Sequence, residues 1–236
     1  MKGLFITFEG TEGSGKSTQV ALLAEKLSAL GLTVLCLREP GGTPIGEEIR
    51  HTLKHSEANH AMTPEAELLL MNASRAQLVR EVIRPRLAAG EVVLCDRFYD
   101  STTAYQGYGR ELDLKKVSEV IDFAVGKTRP DLTLLLHVPI SVSEERRRSR
   151  QAMLIEVPQN KSTNPNAALP FSENQRDRME EADRHFFVRV ENGYDAILSA
   201  EPERVKILDA TQSRDLVTKA VWNHVAPLLE KNQASR

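Results

Sequence analysis

The chain has 236 residues, 41% of them apolar, enough for one sizeable α/β core or two small ones. A net charge of −2 gives no global basic field of the kind that draws nucleic acid or an anionic membrane, so positive charge used in function must be local. No stretch approaches the roughly 18 apolar residues of a membrane span, and the N-terminus runs into an apolar strand with no signal-peptide pattern, so a cytoplasmic protein is expected.

In chain order, apolar residues nearly fill five short runs, 4–8, 33–37, 92–95, 132–138 and 205–208, which read as strands of a parallel sheet covered on both faces. Helical spacing lies between them. Leu23, Leu27 and Leu30 recur before a stop at Gly31, and residues 68–82, 117–125 and 217–229 read similarly. The alternation predicts a doubly wound α/β fold, a five-stranded parallel sheet flanked by helices, with its sites at the carboxyl ends of the strands. Cys36 and Cys95 sit inside apolar runs without metal-ligand spacing and read as core thiols of a reducing compartment. Residues 151–175 break the pattern: Pro158, Pro165 and Pro170, with several Asn and Ser, show no period and predict a mobile excursion.

The first strand leads into Gly10-Thr11-Glu12-Gly13-Ser14-Gly15-Lys16-Ser17, which fits G-x-x-x-x-G-K-[ST] and continues through Thr18 into a helix. Strand, glycine-rich loop and helix in that order are the context the motif requires, because its backbone N–H groups and the helix N-terminus surround phosphate. Lys16 is then expected to reach the β- and γ-phosphates of a nucleoside triphosphate, and the Ser17 hydroxyl to ligate Mg²⁺. Asp96, closing the third strand, is placed to be the second magnesium ligand, or else to cap the next element. The run Glu144-Glu145-Arg146-Arg147-Arg148-Ser149-Arg150 reads on its own as a solvated helical face. A nucleotide-dependent switch is the rival from another class. Its guanine-binding form is disfavoured, since Asn160-Lys161-Ser162-Thr163 lacks the Asp of N-K-x-D.

Two longer stretches carry a resemblance. Leu37-Arg38-Glu39-Pro40-Gly41-Gly42-Thr43, with Gly46-Glu47 and Ile49-Arg50, is similar to the signature of thymidylate kinases. So is Asp96-Arg97-Phe98-Tyr99-Asp100-Ser101-Thr102, continued by Ala104-Tyr105-Gln106-Gly107. Ala73-Ser74-Arg75-Ala76-Gln77, Arg129-Pro130-Asp131-Leu132-Thr133 and Asp177-Arg178-Met179-Glu180 extend the match over nearly the whole chain except 151–175. It resembles the bacterial type with Glu in the phosphate loop and arginines in a lid.

The resemblance implies transfer of the γ-phosphoryl of ATP to dTMP, giving dTDP, by a homodimer. The chain would be a single domain over residues 1–236 with a lid at about 141–180, enlarged by the 151–175 insertion. By the same resemblance, Gly10 to Thr18 form the ATP loop and Glu12 turns to the acceptor 3′-hydroxyl. Arg38 and Arg97 clamp the dTMP phosphate, with Ser101 alongside. Arg75 and Thr102 meet the thymine edge with Gln106 near, Met71 stands where an aromatic ring usually covers the base, and Tyr105 lies under the sugar. Lys16, Arg97 and the lid residues Arg146, Arg148 and Arg150 are the expected catalytic groups. The stretch Asp209-Ala210-Thr211-Gln212 resembles the loop bordering adenine. His137 replaces a common acidic residue.

Overall fold

The computed structural model describes residues 2–156 and 183–234, apart from the side chains of 147, 150–156, 233 and 234. The chain begins with β1 (Leu4–Glu9), α1 (Lys16–Ala29), β2 (Val34–Arg38) and α2 (Pro44–Lys54). It continues through a 3₁₀ turn (Glu57–Ala61) to α3 (Pro64–Leu78), a π-helical turn (Val79–Ile83) and α4 (Arg84–Ala88). Then come β3 (Val92–Asp96), α5 (Tyr99–Thr102), a second π-helical segment (Thr103–Gly109) and α6 (Leu114–Val125). The rest is β4 (Leu132–His137), α7 (Ile140–Glu156), α8 (Arg184–Ala200), β5 (Val205–Asp209) and α9 (Arg214–Ala234).

The strands form one sheet in the order β2-β3-β1-β4-β5, every pair parallel. Alternation along β1 divides the core. Ile6 and Phe8 face Val20, Leu23 and Leu27 of α1 and Val217, Val221 and Val225 of α9. Phe5 faces the other way, with Val93 and Cys95, against Leu78, Val79, Ile83 and Ile121. A fully buried side chain such as Phe5 contributes roughly 1.5–3 kcal/mol. A third cluster gathers Tyr105, Phe186, Phe187, Val190 and Tyr194 where α8 lies over the 103–109 segment. Gly193 permits that approach, since a Cβ there would stand 2.9 Å from the Ala104 Cα.

The predicted strands are all present, shifted by a residue at some ends. The stretch expected to be helical at 68–82 is longer and interrupted. Pro85 cannot donate an N–H and its ring crowds the carbonyl four residues back, and the chain widens into a π turn just before it. Helix α7 runs to Glu156, six residues into the stretch expected to be an aperiodic excursion. Residues 157–175 of that excursion, and the expected lid residues 157–180, lie outside the described residues.

The register places the site. Arg38 of β2 pairs with Asp96 of β3, and Asp96 pairs with Phe8 of β1, so three strand ends discharge side by side.

Candidate functional site

Helix α1 starts on Gly15 in a left-handed conformation, with no side-chain cap and no acidic residue in its first turn. Helices α2, α3, α6 and α8 instead start on Thr43, Thr63, Asp113 and Asp183, whose side chains accept backbone N–H groups. The orphan N–H groups of α1 and its positive dipole end are therefore left to an external anion. Gly10, at φ 131°, lies where a Cβ would stand 2.3 Å from the Leu136 carbonyl, so only glycine lets the loop leave β1 flush against β4. The Lys16 ammonium is buried and donates to the carbonyls of Gly10 and Thr11 at 3.1 and 2.9 Å, and to Ser14 Oγ at 3.4 Å. Burial first, then the Arg97 charge, pushes Lys16 down to about 8. Ser17 Oγ donates to Asp96 Oδ2 at 2.6 Å, while Thr18 is exposed on the first turn of α1.

Beside this loop lies Arg97, with a φ of 71°, unusual for a residue other than glycine. Its Nη1 donates to Ser101 Oγ and Tyr194 Oη at 3.0 and 3.4 Å, and its Nη2 donates to Tyr105 Oη at 3.2 Å. The Nε–H and a second Nη2–H find no partner among the described residues, which leaves a two-donor fork of the kind that grips a phosphate. The turn behind Arg97 hangs on Glu9, the last residue of β1. Its carboxylate accepts Phe98 N, Ser101 N, Ser101 Oγ and Tyr194 Oη at 2.8, 3.2, 2.5 and 2.9 Å. Burial, and then Asp100, raise the Glu9 carboxyl, against the pull of Arg97 and these donors. Arg38 is less enclosed and bridges the Pro40 carbonyl and Glu47.

Deeper in, Arg75 is buried and spends every N–H on protein. Nε and Nη2 meet Glu39 Oε2 at 2.8 and 2.7 Å, Nη1 meets Asn72 Oδ1 and Thr102 Oγ1 at 2.9 and 2.8 Å, and Nη2 also reaches the Phe98 carbonyl. Burial pushes Glu39 up to about 7 against the attraction of Arg75, and its Oε1 has no partner. Gln106 is turned to the buried Glu67, which also takes Arg110. Met71 is buried in α3. The Tyr105 ring is enclosed, edge-on to Phe186 and Tyr194, so much of it serves packing.

The model of the thymidylate kinase family matches residues 8–221. The chain belongs to the thymidylate kinase family. It is 44% identical over 218 residues to a thymidylate kinase of Syntrophotalea carbinolica, covering 92% of this chain and 93% of that one. It is 42% identical over 234 residues to one of Prosthecochloris aestuarii, covering 98% of each. A crystal structure of the thymidylate kinase of Ehrlichia chaffeensis superposes with a TM-score of 0.69 at 28% identity, over 95% of this chain and 99% of that one. As a thymidylate kinase the chain is a phosphotransferase that phosphorylates dTMP to dTDP with ATP.

The thymidylate kinase fold brings the expected lid base onto the phosphate loop. Ser143 Oγ donates to the Glu12 carbonyl at 2.6 Å, and the Arg146 guanidinium reaches the carbonyls of Gly13 and Ala210 at 3.4 and 3.0 Å. Arg148 is exposed, and the Arg150 side chain lies outside those described. The Glu12 charge acts on both Lys16 and Tyr105. Asp209 is held down to about 2 by Gln212 and Thr211, whose bonds shape the turn expected beside adenine.

Sequence reasoning missed Glu9, Glu39 and Tyr194. Glu9 had a signal, a carboxylate at a strand's carboxyl end just before the loop. Tyr194 had none, since one aromatic in a helical pattern reads as core.

Proposed function

We propose that the transfer to dTMP runs across the boundary between β1 and β3, with ATP on the loop and the acceptor phosphate on Arg38 and Arg97. The observation that carries this is the strand order: β2-β3-β1 sets Arg38, then Asp96 and Arg97, directly beside the loop that leaves β1. The acceptor phosphate is already an anionic nucleophile, so no general base is needed and catalysis is positioning and charge stabilisation. Lys16 exchanges its loop carbonyls for phosphate oxygens. Arg97 offers its open fork. Arg146, already over the loop, is placed to meet charge on the transferring phosphoryl, with Arg148 and Arg150 as further lid candidates.

Ser17 and Asp96 would hold Mg²⁺, and their oxygens, 2.6 Å apart, are the donors this ion takes. Phosphate oxygens and water would complete the shell. When bound, the ion supplies charge neutralisation on the phosphate chain.

At the base corner, Arg75 acts through Thr102. Its Nη1–H occupies a lone pair of the Thr102 hydroxyl, leaving that O–H to donate to a pyrimidine carbonyl. Met71 would cover the base, and Tyr105 would border the sugar. Homodimer formation is supported by Phe123 of α6 and Leu69 of α3, which are 85% and 58% exposed on helices that pack together. The two thiols, Cys36 and Cys95, fit a cytoplasmic setting.

A coupled assay of ATP with dTMP, dUMP and dCMP tests the substrate. One methyl in an apolar pocket is worth about 10–200-fold, so dTMP should exceed dUMP by that range. Equal kcat/KM for the two would overturn the pocket assignment. Arg97→Lys tests the clamp, because an ammonium cannot present a planar fork and KM for dTMP should rise.

A further inference from the structure

We propose that Tyr194 is a positioning residue of the acceptor site, its phenol holding the Arg97 guanidinium against the Glu9-anchored turn in the orientation that grips the acceptor phosphate. The inference rests on the reading that Arg97 clamps that phosphate.

The hydrogen bonds around the phenol close on themselves. Its single hydrogen goes to Glu9 Oε2 at 2.9 Å, which leaves its lone pairs to accept Arg97 Nη1 at 3.4 Å. Ser101 repeats the arrangement one step away: its hydroxyl donates to the same Glu9 oxygen at 2.5 Å and accepts Arg97 Nη1 at 3.0 Å. The phenol and Ser101 Oγ are 3.2 Å apart. Two hydroxyls from different elements, α5 and α8, thus relay a fully buried carboxylate to one guanidinium nitrogen. Burial, with Glu9 beside it, raises the Tyr194 phenol well above its ordinary value, so it stays a donor.

Packing alone explains the ring but not the hydroxyl. The ring belongs to the cluster of Tyr105, Phe186 and Val190, where phenylalanine would serve as well. Arg97 needs outside support because its left-handed backbone is not one a side-chain-bearing residue prefers, and the Tyr105 ring, 5.0 Å from the guanidinium carbon, supports only one face. Tyr194 supplies a contact from the far side of the site. It reaches because Gly193, next to it, seats α8 against Ala104 and Tyr108.

The test is a cycle of Tyr194→Phe, Arg97→Lys and the double variant, with dTMP and ATP varied separately and thermal melts recorded. Tyr194→Phe should lower kcat/KM for dTMP about tenfold, the scale of one lost hydrogen bond to a charged group. KM for ATP should stay at the wild-type value, while the melting temperature falls by only a few degrees, since Glu9 loses one of its four donors. In the Arg97→Lys background the same change should do nothing further. A lowered melting temperature with kcat/KM for dTMP intact would make Tyr194 a packing residue and overturn the proposal. An equal loss in both backgrounds would overturn it too, since the phenol would not be acting through Arg97. If Arg97→Lys alone left dTMP kinetics unchanged, the clamp reading would fail and this inference with it. Loss in Arg97→Lys without loss in Tyr194→Phe sinks only the inference.

Discussion

The proposed donor and acceptor halves of this site are built in opposite ways. The ATP half is one continuous stretch, Gly10 to Thr18, whose key groups are backbone N–H groups and a lysine that bonds its own loop. The half proposed to take dTMP is assembled from β1, β2, α3, β3, the π segment at 103–109 and α8, and is held by buried charge: Glu9 under Arg97, Glu39 under Arg75, Glu67 under Gln106 and Arg110. A local loop can lose its chemistry and keep its fold. A site made of buried ion pairs cannot lose a partner so cheaply, because the charge left behind stays out of water.

The widest separation of the two halves comes from Lys16→Ala. Turnover should fall by at least about 10³-fold, the scale of a preorganised donor to developing charge, with the denaturation midpoint nearly unchanged. Steady-state kinetics beside a urea melt read both, and near-normal turnover in a folded variant would break the loop assignment. Arg146→Ala should also act on kcat, by up to about 10³-fold or more if its guanidinium meets the transferring phosphoryl, with little change in dTMP affinity. Wild-type kcat in that variant and in Arg148→Ala would leave the run only a helical face.

On the acceptor side, Arg75→Ala should cost stability as well as activity. It strands Glu39 unpaired at 3% side-chain exposure, a change worth about 3–5 kcal/mol. A urea unfolding midpoint equal to wild type would contradict the buried-pair account. Gly193→Ala is smaller. Its Cβ would meet the Ala104 Cα at 2.9 Å, and overpacking of this kind costs about 1–3 kcal/mol. Because the same contact seats Tyr194, KM for dTMP should rise while KM for ATP does not. The smallest effect serves as a control: Thr63→Ala removes the side-chain cap of α3, worth about 1 kcal/mol, and should leave kinetics untouched.

Much of the molecule was legible before folding. Near-continuous apolar runs announce strands buried on both faces, because a parallel sheet under two helical layers has no wet side, and β1, β3 and most of β4 are buried throughout. The phosphate loop was legible because its function is carried by neighbours in sequence. The split of the 68–82 helix was readable only in part: Pro85 signals a break, but not that a π turn would absorb it. Arg75 lies beside Thr102, but its N–H groups go to Glu39, Asn72, Thr102 and the Phe98 carbonyl, so the expected direct bond from Arg75 to thymine has no donor left. Its dependence on Glu39 was not visible, since nothing in sequence pairs residues 36 positions apart.

What the sequence by itself determined is therefore the fold class and the triphosphate loop, written in period, spacing or motif, while it offered the arginines as candidates. What only the tertiary structure decided is which way those arginines point. Arg97 is aimed by a carboxylate from β1 and a phenol from α8, separated by 185 residues along the chain. Hydrophobic pattern reports that a segment is buried, but hydrogen-bond direction depends on which groups the packing brings within about 3 Å, and that is settled only when the helices close on the sheet.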